Sequence, residues 1–180
     1  MRTINRDLTK WIGMLLLFSP LGLCLQADDN TPLPTTARLS YVQPPVTMER
    51  MAEDEWVEAI VNVPLMEGDK IYTGINGRAE IQLPDEVTLR LDQDTYVTFE
   101  VMDESLSRIQ IARGTVSVSA PRVEFWRPPV EIWGDYFSAG IPDYASARFD
   151  VLDNGQADVS VRRGTLEINL SPERKLVLRR

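Results

Sequence analysis

WVEAIVNVPLMEGDKIYTGINGRAEIQLPDEVTLRL, residues 56–91, sets short apolar runs of period two between closely spaced Gly, Pro and Asp. Ala79, Ile81 and Leu83 alternate with Glu80 and Gln82, and Val87, Leu89 and Leu91 alternate with Thr88 and Arg90. Such alternation gives a strand one buried and one wet face, whereas a helix repeats its apolar residues every three or four positions. The stretch predicts several short strands, in a β-rich module that receives a partner rather than in an enzyme.

The pattern continues on both sides. Downstream, Val97, Phe99 and Val101 alternate, the polar turn Asp103 to Ser107 follows, and then come Ile109, Ile111, Gly114 and a strand from Thr115 to Ser119. Ala147 to Leu152, Asp153-Asn154-Gly155 and Ala157 to Val161 form the strongest hairpin signal, because Asn-Gly accepts the positive φ angles of a type I′ turn. Upstream, Leu39 and Tyr41 precede Pro44-Pro45, which ends a first strand or marks it as an edge. Glu49 to Glu55 reads as a charged loop or a turn of helix.

Arg113-Gly114-Thr115-Val116 is echoed by Arg163-Gly164-Thr165-Leu166. Two copies are too few for a solenoid, so the echo reads as recurring strand-turn chemistry. With no sustained helical stripe, the expected class is all-β, an antiparallel β-sandwich of jelly-roll-like kind.

Residues 1–27 read as a secretory signal. Arg2, Arg6 and Lys10 form its basic start, Trp11 to Leu25 its apolar run, and Leu25-Gln26-Ala27 its small-residue cleavage site. Ser19, Pro20 and Gly22 interrupt the apolar run, which is shorter than the roughly 20 residues of a spanning helix, so cleavage is expected over retention as an anchor. A lipoprotein reading of Cys24 is weakened by the bulky Leu23 before it. Residues 28–36, DDNTPLPTT, read as an extended linker. Residues 37–171 are then the β domain and 172–180, with Arg174, Lys175, Arg179 and Arg180, a solvated basic tail that could meet an acidic partner. The expected location is periplasmic or secreted.

The composition removes several function classes. The chain has no histidine, so imidazole bases, Ser-His-Asp triads and the commonest transition-metal ligand are absent. Its single cysteine leaves with the signal, which leaves the mature part without disulfide, thiol nucleophile or thiolate metal site. Losing residues 1–27 removes Arg2, Arg6, Lys10 and Asp7, so 19 cations and 27 anions become 16 and 26, a net charge of −10. That charge disfavours nucleic acid and anionic membranes as partners.

A longer succession resembles a known family. Arg38-Leu39-Ser40-Tyr41, Trp56, the run from Pro64 to Gly74, Gly77-Arg78-Ala79-Glu80-Ile81, Leu89-Arg90-Leu91-Asp92 and Arg113-Gly114-Thr115-Val116 together look like the FecR domain. The resemblance implies an all-β periplasmic domain, related to the sensory half of FecR-type anti-sigma regulators. In those regulators a cytoplasmic N-terminal segment holds the sigma factor and a helix crosses the inner membrane. Only about ten residues precede the apolar run here, too few for a sigma-binding segment. The expectation is therefore a stand-alone secreted relative that binds no cytoplasmic sigma factor directly.

Phe125, Trp126, Trp133, Tyr136, Phe137 and Tyr144 cluster within a short span. Aromatics dominate interface hot spots and stack on sugar rings, although most of such a set commonly packs in a core. Trp126, Trp133 and Tyr136 are the candidate partner-binding residues. The partner expected is an envelope protein, with a carbohydrate or peptidoglycan as the alternative. The acidic pairs Asp85-Glu86, Asp92/Asp94 and Asp103-Glu104 fall where turns are expected and lack the remainder of a calcium-loop pattern. A carboxylate hydrolase would need two of these acids converging in a cleft. Gly68, Gly74 and Gly77 read as turn glycines, with no helix after them to cradle a phosphate. No catalytic residue, metal or cofactor is assigned.

Overall fold

The computed structural model describes residues 37–180 apart from 52, 54 and 123–128. Fifteen strands make up this part: β1 (Ala37–Gln43), β2 (Val46–Glu49), β3 (Trp56–Glu58), β4 (Pro64–Leu65), β5 (Lys70–Thr73), β6 (Arg78–Gln82), β7 (Thr88–Leu91), β8 (Thr95–Met102), β9 (Ser107–Ser119), β10 (Val130–Gly134), β11 (Phe137–Ile141), β12 (Ser146–Val151), β13 (Ala157–Arg163), β14 (Thr165–Ser171) and β15 (Arg174–Arg179). The described residues are all-β, with a short 3-10 turn at Pro84–Glu86.

Two sheets share the strands. One runs β4-β1-β6-β7-β9-β12-β13, and the other β3-β2-β5-β8-β9-β10-β11-β14-β15. Their buried faces feed one continuous core, from Leu39, Ile81, Leu89 and Phe149 of the first to Ile71, Phe99, Ile132 and Leu166 of the second, an arrangement compatible with a sandwich. One pair departs from the all-antiparallel expectation. β10 lies parallel to β9, with Val130 opposite Ser107 and Ile132 opposite Ile109. A parallel pair needs a crossover rather than a tight hairpin.

β9 belongs to both sheets. Its first half pairs β8 and β10, and its second half pairs β7 and β12. Gly114, at φ +93°, stands where it crosses. Buried positions are Ile109 and Ile111 before the crossing and Val116 and Val118 after it, so the inward set changes from odd to even numbers. Since neighbouring side chains point to opposite faces, this one-residue shift keeps the apolar side of the strand on the core after it changes sheet. The same device recurs in the opposite direction. Val159 and Val161 of β13 face the core of the first sheet, Gly164 stands at φ +84°, and Leu166 and Ile168 of β14 face it from the second. The Arg-Gly-Thr echo therefore marks the two places where a continuous run of strand changes sheet at a glycine.

A second relationship is visible only in the register. β5 to β8 and the first half of β9 correspond in order and pairing to β11 to β15. Ala79 faces Leu91 and Ile81 faces Leu89 as Ala147 faces Val161 and Phe149 faces Val159. Val97 faces Ile111 and Phe99 faces Ile109 as Leu166 faces Leu178 and Ile168 faces Leu176. Two further readings change. The 172–180 segment is exposed, as expected, but it is not a frayed tail, because Arg174–Arg179 pairs along β14 as a strand. The turn between β12 and β13 is not type I′: Gly155 alone takes positive φ, and its N–H donates to the Leu152 carbonyl at 2.8 Å. The charged stretch after β2, read as a loop or a turn of helix, contains a turn in which the Glu53 N–H donates to the Arg50 carbonyl at 3.0 Å.

Candidate functional site

β10 and β11 form a hairpin on the outer sheet face, with Val130 and Ile132 turned inward and Glu131 and Trp133 outward. Trp133 is 38 % exposed but fixed in place. The Arg108 guanidinium lies 4.8 Å from its ring centroid. Its Nε1–H donates to Glu131 Oε2 at 3.1 Å, and Arg108 Nε donates to the same oxygen at 3.1 Å. A cation over the ring and a hydrogen bond at its edge leave the indole little rotamer freedom. Tyr136 follows in the hairpin turn and is 64 % exposed. Both border an open groove of about 330 Å³, whose far side is Asn169, Leu170, Ser171 and Pro172 from β14 and the turn after it.

Of the three aromatic residues singled out from the sequence, Trp133 and Tyr136 thus share one exposed rim, and Trp126 lies outside the described residues, as does Phe125. The remaining aromatics go elsewhere. Phe137 is buried and stacks on Phe149, with centroids 5.8 Å apart. The guanidinium groups of Arg163 and Arg122 lie 4.5 Å and 4.8 Å from the Tyr144 ring centroid.

Asp92 and Asp94 border one groove, and each carboxylate is engaged by an arginine. Asp92 accepts from Arg78 Nε at 3.0 Å, and Asp94 accepts from the Tyr72 hydroxyl at 3.0 Å and pairs with Arg113 at 3.0 Å. The Tyr72 pKa is raised, first by the hydrogen bond its hydroxyl donates to Asp94 and then by burial. Asp103 takes the hydroxyl and N–H of Ser105 and the N–H of Leu106, which lower its pKa. Near the Gly114 crossing a polar groove of about 470 Å³ is bounded by Asp92, Asp94, Arg113, Thr115, Arg148 and Asp150. The Arg148 hydrogen bond lowers the Asp150 pKa, with help from the Thr115 hydroxyl and against burial. The carboxyls with resolved shifts are held ionised, the reverse of what a general acid needs. Among the described residues no group of three acidic, His or Cys side chains is arranged to hold a metal ion.

Sequence reading did not single out the polar stitching of the crossing. Thr115 N–H donates to Thr95 Oγ1 at 2.9 Å, Thr95 N–H donates to Thr73 Oγ1 at 3.0 Å, and the Thr73 hydroxyl donates to the Asp92 carbonyl. Thr73 and Thr95 are fully buried. A signal was available, since both threonines occupy positions where the alternation calls for an apolar residue. Asp69, also buried, accepts from Arg50 at 2.6 Å and from the Met66 N–H at 2.9 Å.

The described residues form an all-β module with two exposed aromatics on one groove. FecR protein matches residues 69–167, more than half of the chain, and the protein belongs to the FecR family. Two crystal structures of a "putative anti-sigma factor" from Parabacteroides distasonis ATCC 8503 are similar in fold. One has 20 % identity and a TM-score of 0.52, the other 18 % and 0.51, each over 61 % of this chain and 50 % of that one. The match thus spans half the length of those proteins. No curated protein matches the sequence.

Proposed function

We propose that the protein is a non-catalytic, periplasmic regulatory module that binds another protein of the cell envelope, and that the rim formed by Trp133 and Tyr136 is its docking face. FecR membership supports the regulatory reading. The observation that carries the site is the exposure of two large aromatics on one groove, with Trp133 already fixed by Arg108 and Glu131. A pre-positioned aromatic loses little conformational entropy on docking, which is why such residues serve as anchors. Neither the anchor nor a sheet edge needs a cofactor to act.

One feature favours a glycan as the second reading. The groove is open and shallow, with Asp135 and Asn169 among its borders, the polar groups that would meet sugar hydroxyls beside a stacking ring. Affinity capture from detergent-solubilised envelopes separates the two. The wild type should retain a discrete protein that the double variant Trp133→Ala, Tyr136→Ala loses. Retention on purified cell-wall sacculi that the double variant abolishes, with no protein captured, would assign the rim to glycan instead.

A further inference from the structure

Of the strands that end the two sheets, β4 has two residues and β3 three, while β13 has seven and β15 six. Short length and a run of like charge are two ordinary protections of a sheet edge. β3 and β4 have the first, and β15 has the second in Arg174, Lys175 and Arg179. β13 has neither. Its sequence is Ala-Asp-Val-Ser-Val-Arg-Arg, its exposed side chains Asp158 and Arg162 differ in sign, and among the described residues it pairs with β12 alone.

The apolar side of this edge is unfinished. In the first unit the second half of β9 covers β7, and Leu89 and Leu91 are fully buried, whereas their counterparts Val159 and Val161 are only partly buried. Beside β13 lies a cavity of about 220 Å³ with Val159, Ile168, Leu170, Leu176 and Leu178 among its lining residues. The charges are unmet as well. Across the pair with β12, Asp158 faces a second carboxylate, Asp150, which Arg148 already holds. Arg162 falls in the bulge between Val161 and Arg163 and faces no residue of β12. Neither Asp158 nor Arg162 forms an ion pair among the described residues.

We propose that β13 is the seam of a homodimer, in which it pairs antiparallel with β13 of a second copy about a two-fold axis at Ser160. The sequence of the strand is complementary to itself in this register. Val159 stands opposite Val161 of the other copy on the inner face, and Asp158 stands opposite Arg162 on the outer face, each contact occurring twice as two-fold symmetry requires. Opposite charges directly across a strand pair stabilise its register. Centring the pair on Val159 or on Val161 instead sets Asp158 or Arg162 against Ser160 and leaves the charges unmatched. A strand kept for a foreign segment has no cause to match itself at four positions around one residue, and this match is what names a second copy as the occupant. The cations of β15 do not bar the approach. Lys175 is matched by Glu167, and Arg174 and Arg179 stand exposed, where salt at 0.1 M screens them within about 10 Å. The seam is a different surface from the outer face of Trp133, and its failure would leave the docking reading untouched.

The test uses the protein purified after expression of the full chain with Cys24→Ser. Residues directly opposite in an antiparallel pair have Cα atoms about 4.5 to 5.5 Å apart, within the span of a disulfide. Ser160→Cys should therefore give a covalent dimer on mild oxidation with copper phenanthroline. Asp158→Cys should not, because the two copies of position 158 lie four residues out of register, roughly 13 Å apart. In sedimentation velocity without added cysteines the protein should be a dimer that D158R weakens at least about tenfold, since both charge pairs become repulsive. The double variant D158R with R162D should restore the dimer, which a misfolded single variant could not explain. A monomer at every concentration, crosslinking at 158 as readily as at 160, or no rescue by the exchanged charges overturns the proposal. So does a dimer in which hydrogen exchange is slowed at another edge and not within Ala157–Arg163.

Discussion

Replacing Gly114 by alanine probes the crossing on which the two-sheet arrangement depends. At φ +93° an L-residue is strained by roughly 1 to 2 kcal/mol. Its Cβ would also stand 2.4 Å from the Thr95 Cα and 2.5 Å from the Asp94 carbonyl oxygen. Those are backbone atoms of a neighbouring connection, so relief requires moving β8 against β9 and breaking the Thr95–Thr115 hydrogen bonds. We expect a total cost of about 3 to 5 kcal/mol, in the range reserved for single changes that break a special backbone position. Gly164 has a similar φ, but its added Cβ would meet one atom closer than 3 Å, the Tyr144 carbonyl oxygen at 2.9 Å. Gly164→Ala should cost about 1 to 2 kcal/mol, chiefly the conformational strain. Gly140, with nothing within 4 Å of an added Cβ, should tolerate alanine within about 0.5 kcal/mol. Urea unfolding followed by tryptophan fluorescence gives all three midpoints. The Gly114 variant should lose roughly 1.5 M or more at a slope of about 2 kcal/mol per M. Equal losses for Gly114→Ala and Gly140→Ala, or a larger loss for Gly164→Ala, would refute the role given to this glycine.

Other substitutions test the polar groups under the crossing and beside it. Asp69→Ala removes a buried acceptor from Arg50 and Met66, and because Arg50 keeps some access to water we expect about 2 to 3 kcal/mol, read as a fall of roughly 5 to 10 °C in Tm by calorimetry. Thr95→Val keeps the shape but leaves the Thr115 N–H without its acceptor, a cost of about 1 to 3 kcal/mol by urea titration. Asp150 has its pKa lowered in the folded state, so its ion pair stabilises above the ordinary aspartate value of 3.8 and that contribution is lost as pH falls through the still lower folded value. Both partners are about a third exposed, so Asp150→Asn should cost under about 1 kcal/mol at neutral pH, and the gap from wild type should close in acid unfolding below pH 3.8. A gap that widens on acidification would reverse the sign argued for this pair.

Much of the β-structure could be read from alternation, because each strand buries one face and the code is local. Ala79 and Ile81, Leu89 and Leu91, and Val97 and Phe99 are buried as their spacing requires. The change of parity between Ile111 and Val116 was also present in the sequence, yet its meaning depended on which sheet each half of β9 joins, and that is a long-range fact. The repeat of strand order was hidden for a related reason. It is conserved in register, Ile81 with Leu89 and Phe149 with Val159, while the conspicuous Arg-Gly-Thr echo lies at a different spacing and reports a local device. The basic residues at 174–180 outweighed the weak alternation of Leu176 and Leu178, and only pairing with β14 makes that segment a strand. For the site, an aromatic cluster was legible but its division was not. The side of the hairpin decides that Phe137 enters the core and Trp133 faces outward, and composition carries no record of that choice.

In-cell photo-crosslinking from a photoreactive residue at position 133 tests the docking claim most directly, with Tyr41, exposed on the other sheet, as the control position. Crosslinking to one envelope protein from position 133 and not from position 41 is the expected result. Identical adducts from both positions, or none from position 133 while the protein remains bound to sacculi, would contradict a protein-docking face on the β10–β11 hairpin.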